Sequence, residues 1–244
     1  MMPVVIVYIV RHGETEENRR AIIQGQRDTE LNDAGRTQAH QVGSALEKIP
    51  FKKAWSSDLC RAAATAEEIL KHHPDLELVK QPALRERYMG EWEGKAVKDR
   101  HAASRADASG RGQESVPDMS ARVAQWWDEN VHRYVKEVAG SVAIDGARDG
   151  GREEGSVSEG PVDPHAVLVV SHGYFIGLLL RGLIDSGTIG DAVGIAGGRV
   201  GNASVTVVEI GSDGRGLLSK FSDMGHLTGT QAWAGSTEAD SHTR

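Results

Sequence analysis

Arg11-His12-Gly13 follows directly on the apolar run Val4 to Val10, and Ser171-His172-Gly173 follows on Ala166 to Val170. A run of Val, Ile and Tyr reads as a buried strand. A polar loop with glycine at the carboxyl end of such a strand is where open α/β sheets hold ligands. A guanidinium, an imidazole and a residue without a side chain suit an anion that arginine holds while histidine reacts with it. Arg61 stands just behind Ala54-Trp55-Ser56-Ser57, and Glu86 lies within Arg85-Glu86-Arg87. If the strands run parallel, these four places converge on one sheet edge. Two arginines and two histidines would then form a cationic pocket, and charge stabilisation around the equatorial oxygens is what phosphoryl transfer needs most. Guanidinium forks match phosphate geometry. A neutral imidazole in that field is an adequate nucleophile, giving a phosphohistidine. Glu86 would protonate the leaving alkoxide and then take a proton from water.

The elements that must position these groups are legible as alternating strands and helices. Val4 to Val10 is the first strand, followed by a loop through Asp28. Leu31-Asn32-Asp33 opens a helix running to about Lys48, with Val42, Ala45, Leu46 and Ile49 on one face. Ala54 to Ser57 is a short strand, and Asp58 is the expected N-cap of a helix from Leu59 to about His72. Glu77 to Val79 reads as a further short strand, and Arg85 to Gly94 as a loop. Ser120 to Val138 has the spacing of an amphipathic helix, so Trp126 and Trp127 are expected in packing rather than as a ligand platform. Gly140 to Asp163 is so poor in large apolar residues that it reads as a flexible insertion. Ala166 to Val170 is a strand, Tyr174 to Ile184 an apolar helix, and Ser204 to Ile210 and Gly216 to Phe221 a pair of strands. The expected fold is α/β, a three-layer α/β/α arrangement with a mostly parallel central sheet and a helical elaboration over the active site. One domain over 1–234 is expected, with the elaboration at about 95–139, the insertion at about 140–164 and a disordered tail at 235–244.

Composition narrows the classes. The chain has 244 residues, 39% of them hydrophobic, and a formal net charge of −7. That balance argues against general nucleic-acid binding, while leaving room for a locally basic pocket. The single cysteine, Cys60, excludes an intrachain disulfide framework and a multi-cysteine zinc site, and reads as a small core residue on a helix. No apolar stretch reaches the ~18 residues of a membrane span. Met1-Met2-Pro3-Val4 carries no basic leader, so a cytoplasmic location is the expectation.

Five ordered blocks resemble a known family. They are Ile9-Val10-Arg11-His12-Gly13-Glu14-Thr15-Glu16-Glu17-Asn18; Gln24 through Gly35; Ser56-Ser57-Asp58-Leu59-Cys60-Arg61-Ala62; Leu84 through Gly94; and Val170-Ser171-His172-Gly173. Together they resemble the histidine phosphatase superfamily, also called the phosphoglycerate mutase-like family, across most of residues 4–184. The resemblance implies that His12 is the phosphorylated nucleophile, that Arg11, Arg61 and His172 bind the phosphate, and that Glu86 is the proton donor. It also implies that Asn18, Gln24, Gly25, Gly173 and Tyr88 line the phosphate and substrate site. No metal or other cofactor is implied, because cationic side chains stand where a magnesium ion stands elsewhere.

The same resemblance separates two activities. The family's mutases carry a tyrosine where this chain has Met89, a lysine where it has Val97, and an adjacent arginine pair further on. Here Arg100, Arg105 and Arg111 are scattered. The expected function is therefore a metal-independent phosphomonoester hydrolase acting on small phosphorylated metabolites, sugar phosphates among them. A 2,3-bisphosphoglycerate-dependent mutase is the first alternative, recognisable by isomerisation outrunning hydrolysis. A non-catalytic phospho-ligand-binding module is the second, although such proteins lose a catalytic residue and this chain keeps all five. His226, in Asp223-Met224-Gly225-His226-Leu227, is a candidate to approach the pocket from the carboxyl-terminal side.

Overall fold

The structure, a computed structural model, describes residues 4–103, 112–148, 164–194 and 198–227. It has seven strands: β1 Val5–Arg11, β2 Phe51–Ser56, β3 Leu78–Lys80, β4 His165–Ser171, β5 Ile189–Asp191, β6 Val205–Ile210 and β7 Gly216–Asp223. Its α-helices are α1 Glu16–Arg19, α2 Asp33–Leu46, α3 Cys60–Leu70, α4 Val97–Ala102, α5 Val116–Trp127, α6 Arg133–Arg148 and α7 Gly173–Asp185. The strands form one sheet in the order β3-β2-β4-β1-β6-β7-β5.

Chemistry explains that order. β1 and β4 are the most continuously apolar strands, and both are buried on the two faces, as central strands of a parallel sheet must be. β3, β2, β4 and β1 are mutually parallel. β6 runs antiparallel to β1, and β7 antiparallel to β6. The sheet is thus mixed, with its parallel half on the side that carries the quoted motifs.

Two apolar clusters cover the two faces. On one, Val42 and Leu46 of α2 and Ala62, Ala66 and Ile69 of α3 pack on Val10, Leu168 and Val207. On the other, Val123 and Trp126 of α5, Val135 and Val138 of α6, and Phe175 and Leu179 of α7 pack on Val7, Ile9 and Val169. Trp126 meets Trp55 and Phe175 edge-on at centroid distances of 6.0 and 6.1 Å. Its indole N–H donates to Gln81 Oε1. The two tryptophans are core, as their helical spacing predicts.

Several boundaries differ from expectation. α1 falls inside the stretch expected to be a loop, made by a local capping box between Thr15 and Asn18. The expected helix of 120–138 is interrupted by a π-helical turn, Asp128–His132, and α6 then continues to Arg148, into the segment read as an insertion. Residues 149–163 of that segment, Arg105, Arg111 and the tail 235–244 lie outside the described residues. Asp58 does not cap α3. Leu59 occupies the cap position without a side-chain bond, Asp28 Oδ1 accepts from the Cys60 amide at 2.7 Å, and Asp58 pairs with Arg85 instead. A bidentate charge-assisted pair outcompetes one capping bond. Cys60 is half-buried at the helix start rather than in the core, and burial pushes its thiol up to about 11. No described helix is long and apolar enough to cross a membrane.

Truncating Trp126 to Ala removes a fully packed indole and leaves Gln81 Oε1 without its donor. Denaturant unfolding followed by circular dichroism should show a loss of about 3–5 kcal/mol.

Candidate active site

The register of the parallel strands assembles the site. β1 and β4 pair with Arg11 opposite Ser171, so the next residues of the two chains, His12 and His172, emerge side by side. The His12 amide donates to Ser171 O at 3.0 Å, continuing the ladder, and the two imidazole centroids lie 5.1 Å apart. β2 ends opposite Val170, and three residues into the connection behind it Leu59 caps the helix that carries Arg61 in its first turn. The Gln81 amide donates to Ser56 O at 2.8 Å, and a 3-10 turn over Pro82–Leu84 then leads to Glu86. The four parallel strands therefore deliver these groups to the same edge, β1 two of them and each of the others one.

Arg11, His12, Arg61, His172 and Glu86 are all buried, with Glu86 the most exposed at 9%. Arg11, His12, Asn18, Gln24, Gly25, Arg61 and Glu86 line one cleft of about 480 Å³, open solvent included. Its remaining walls are Ile22, Ile23, Met89, Arg87 and Tyr174. Tyr88 does not line this cleft; its side chain is 43% exposed. Gly173 opens α7 directly behind His172. His226 stands away from the cleft, its Nε2–H donating to Ala203 O at 3.0 Å.

Backbone contacts hold these side chains in place. Arg61 spends its two terminal nitrogens on Arg27 O and Gly25 O at 2.7 and 2.8 Å. Arg11 Nη1 donates to Val200 O at 2.6 Å. Thr65 Oγ1 accepts from the Gly13 amide at 3.0 Å and donates to Arg61 O at 2.8 Å, tying the two motifs together. Gly13 must lack a side chain, because a Cβ there would sit 2.4 Å from Gly35 O at the start of α2. Gly25 has φ +54°, and a Cβ on it would strike the Glu93 carboxylate.

The protonation pattern is specific. His12 Nδ1 lies 2.7 Å from Gly13 O, and a carbonyl can only accept, so Nδ1 carries the proton and Nε2 keeps the lone pair. Burial, reinforced by the Arg61 and Arg11 guanidiniums, holds His12 well below the usual imidazole range. His172 is held down in the same way by burial, then Arg61, His12 and Arg11. The imidazoles are thus neutral, and the positive charge of the cleft comes from its arginines. Glu86 accepts from the Arg87 amide at 2.7 Å through Oε1 and from the Tyr174 amide at 3.0 Å through Oε2. The latter is one of the donors that the start of α7 leaves without an intrahelical partner.

Three buried polar atoms at this place, Arg61 Nε and both ring nitrogens of His172, have no hydrogen-bond partner among the described residues. Burial without a partner costs about 1–3 kcal/mol per group, which a bound oxyanion would recover for the donors among them, Arg61 Nε–H and the one N–H of a neutral His172. Asn18 Oδ1 accepts from the Thr15 amide at 3.2 Å, so the NH2 end of Asn18 is left for the cleft. Gln24 Oε1 is taken in the same way by the hydroxyls of Thr15 and Thr29 at 3.0 and 2.6 Å. An uncharged nucleophilic nitrogen amid guanidinium and amide donors, with a carboxyl group opposite, can support nucleophilic displacement at phosphorus.

The residues that sequence reasoning missed are Arg87, Tyr174, the apolar wall of Ile22 and Ile23 that joins Met89, and the turn at 200–204 behind Arg11. Arg87 was within a quoted block, next to Glu86. The turn had no such signal: it reaches the site because β6 is antiparallel, with Val205 opposite Val10.

Because the unfolded imidazoles titrate near 6.5 and the folded ones lower, the unfolded chain binds more protons as the pH falls. The stabilisation is fully present above about pH 6.5 and is lost on acidification below it. Melting temperatures should be flat above about pH 6.5 and fall below it, and His12→Gln and His172→Gln should each flatten that fall. Orthovanadate, which supplies acceptors for protonated rings, should restore part of the loss.

The profile of the Histidine phosphatase superfamily (branch 1) matches residues 7–144. A "probable phosphatase" of Schizosaccharomyces pombe is 26% identical over 91% of this chain and 94% of its own length. The fructose-2,6-bisphosphatase TIGAR B of Danio rerio is 33% identical over 72% of this chain and 74% of its own. Among solved structures, a phosphoglycerate mutase from Bacillus anthracis superposes with a TM-score of 0.65 at 26% identity, covering 92% of this chain and 96% of that one. With its profile match, its sheet and its relatives, the chain belongs to the histidine phosphatase superfamily, branch 1, and is an enzyme of the phosphatase kind.

Proposed function

We propose that this protein is a metal-independent phosphomonoester hydrolase of the cytoplasm that works on small phosphorylated metabolites through phospho-His12. The observation that carries the reading is the fixed tautomer of His12: Nδ1–H is spent on Gly13 O, and the Nε2 lone pair remains, in a cleft lined with arginine and amide donors. Nε2 attacks phosphorus in line, the P–O bond to the alcohol breaks, and Glu86 gives its proton to the departing oxygen. Water then attacks the phosphohistidine, Glu86 takes a proton from it, the P–N bond breaks and orthophosphate leaves. Arg11, Arg61 and His172 stabilise the equatorial oxygens in both steps, with Asn18, Gln24 and the Gly25 and Gly173 backbone around them.

Hydrolysis is favoured over mutase chemistry by the cleft wall. Met89 and Val97, at the positions where mutases are expected to carry tyrosine and lysine, are buried with Ile23 in a small apolar cluster, of which Met89 and Ile23 line the cleft. Such a wall makes few demands on the alcohol, which supports broad specificity, and among the described residues it adds the cation Arg87. The relatives named as a fructose-2,6-bisphosphatase and a probable phosphatase support the same branch.

Hydrolysis of p-nitrophenyl phosphate and a panel of sugar phosphates should proceed equally with and without EDTA. His12→Ala should lose about 10³-fold or more in kcat/KM. Acid-labile, base-stable phosphate should be trapped on the wild-type chain and not on His12→Ala. Inactivity across the panel, loss with EDTA, or isomerisation of 3-phosphoglycerate faster than its hydrolysis would sink the reading.

A further inference from the structure

Asn202 lies in the turn ahead of β6, and no motif drew attention to it. Its side-chain NH2 donates to His12 O at 3.1 Å, to Gly13 O at 3.3 Å and to Asn18 Oδ1 at 3.3 Å. Gly13 O is also the acceptor that fixes the His12 tautomer, at 2.7 Å. Asn18 Oδ1 is the atom whose engagement decides which end of that amide is left for the cleft. One half-buried amide therefore serves both the nucleophile and a phosphate donor.

The turn around it is held in an unfavourable shape. Ala203 has φ +53°, a left-handed conformation that costs a residue with a Cβ of order 1 kcal/mol. Its amide donates to His12 O at 3.2 Å, and its carbonyl accepts from His226 Nε2. The Gly201 amide is tied to Ser222 Oγ at 2.8 Å. With Val200 O on the Arg11 guanidinium, four consecutive residues of this turn brace the Arg11-His12-Gly13 loop or the turn itself. A strained turn whose bonds converge on a reactive loop is retained for what it positions.

We propose that Asn202 is a positioning residue for phosphoryl transfer: its amide holds the Gly13 carbonyl against His12 and turns the NH2 of Asn18 toward the phosphoryl oxygens. The inference rests on the functional reading above. It implies that Asn202 acts on the reaction without touching substrate, and in part through Asn18.

A double-mutant cycle tests this with p-nitrophenyl phosphate as substrate and orthovanadate as inhibitor. Asn202→Ala should lower kcat/KM about tenfold or more, mainly in kcat, and raise the vanadate Ki. In an Asn18→Ala background the same change should cost no more than about threefold, since coupled residues are not additive. A merely structural role would reduce the titre of active sites while leaving Ki unchanged. Asn202→Asp keeps the shape without the donors and should behave as Asn202→Ala does; it carries the cycle if the alanine variant does not fold. On the wild-type protein, the Asn18 side-chain NH2 resonances should shift on adding vanadate, while those of Asn202 stay in place and exchange slowly with solvent. Near-wild-type kinetics in a folded Asn202 variant, equal factors in the two backgrounds, or an Asn18 amide indifferent to vanadate would overturn the inference. A wild-type protein that hydrolyses no phosphomonoester sinks the functional reading instead, and the resonance measurement still decides the geometry.

Discussion

The pairing of β1 with β4, Arg11 opposite Ser171, is the constraint on which the rest depends. It is a backbone constraint, set by two runs of Val and Ile that fill both faces of the sheet. A slip of one residue would turn every apolar side chain of a strand to the wrong face. The two imidazoles thus stand side by side because hydrophobic packing allows no other alignment. Their neutrality follows from the same placement: burial beside two guanidiniums disfavours a second proton on either ring.

Around that pair the loops are cross-braced. Thr65 joins the Gly13 amide to Arg61 O. Asp58 holds Arg85 through two bonds of 2.8 and 2.6 Å, fixing the residue before Glu86 to the connection ahead of α3. Arg122 of α5 reaches Ala83 O and Arg85 O at 2.7 and 3.0 Å, on the chain just before Glu86, and is itself paired with Glu114. The backbone around Gly13, Arg61 and Glu86 is therefore held by residues outside the candidate site. Such support keeps dipoles aimed before the reaction begins.

Much of this was legible in the residues. β1, β4, α2 and α7 announce themselves through continuous or periodic apolar patterns. The five candidate site residues sit in motif blocks, and four of the five blocks lie at the ends of parallel strands. What was not legible has physical reasons. β5 and α4 are short elements stabilised by tertiary partners rather than by local pattern. The direction of β6 depends on its pairing with β1, which no residue of its own encodes, so the approach of Val200 and Asn202 to the site stayed hidden. Asp58 looked like a cap because the rule is local, whereas its partner Arg85 is 27 residues away. Tyr88, in the same block as Glu86, faces solvent. The charge state of the histidines depends on burial, which only the packed structure reveals.

Arg11 at one end of the chain is bound to Val200, 189 residues later. Among the described residues β1 pairs with β4 and β6 alone, from residues 165–210. Its order of synthesis and its order of assembly are therefore opposed. The earliest strand must wait, unpaired, while more than 150 residues are added, and loop closure over such distances is slow. An apolar strand with both edges open is also a template for wrong pairing. The cleft around Arg11 and His12 consequently takes its shape only once the last third of the described fold has joined β1.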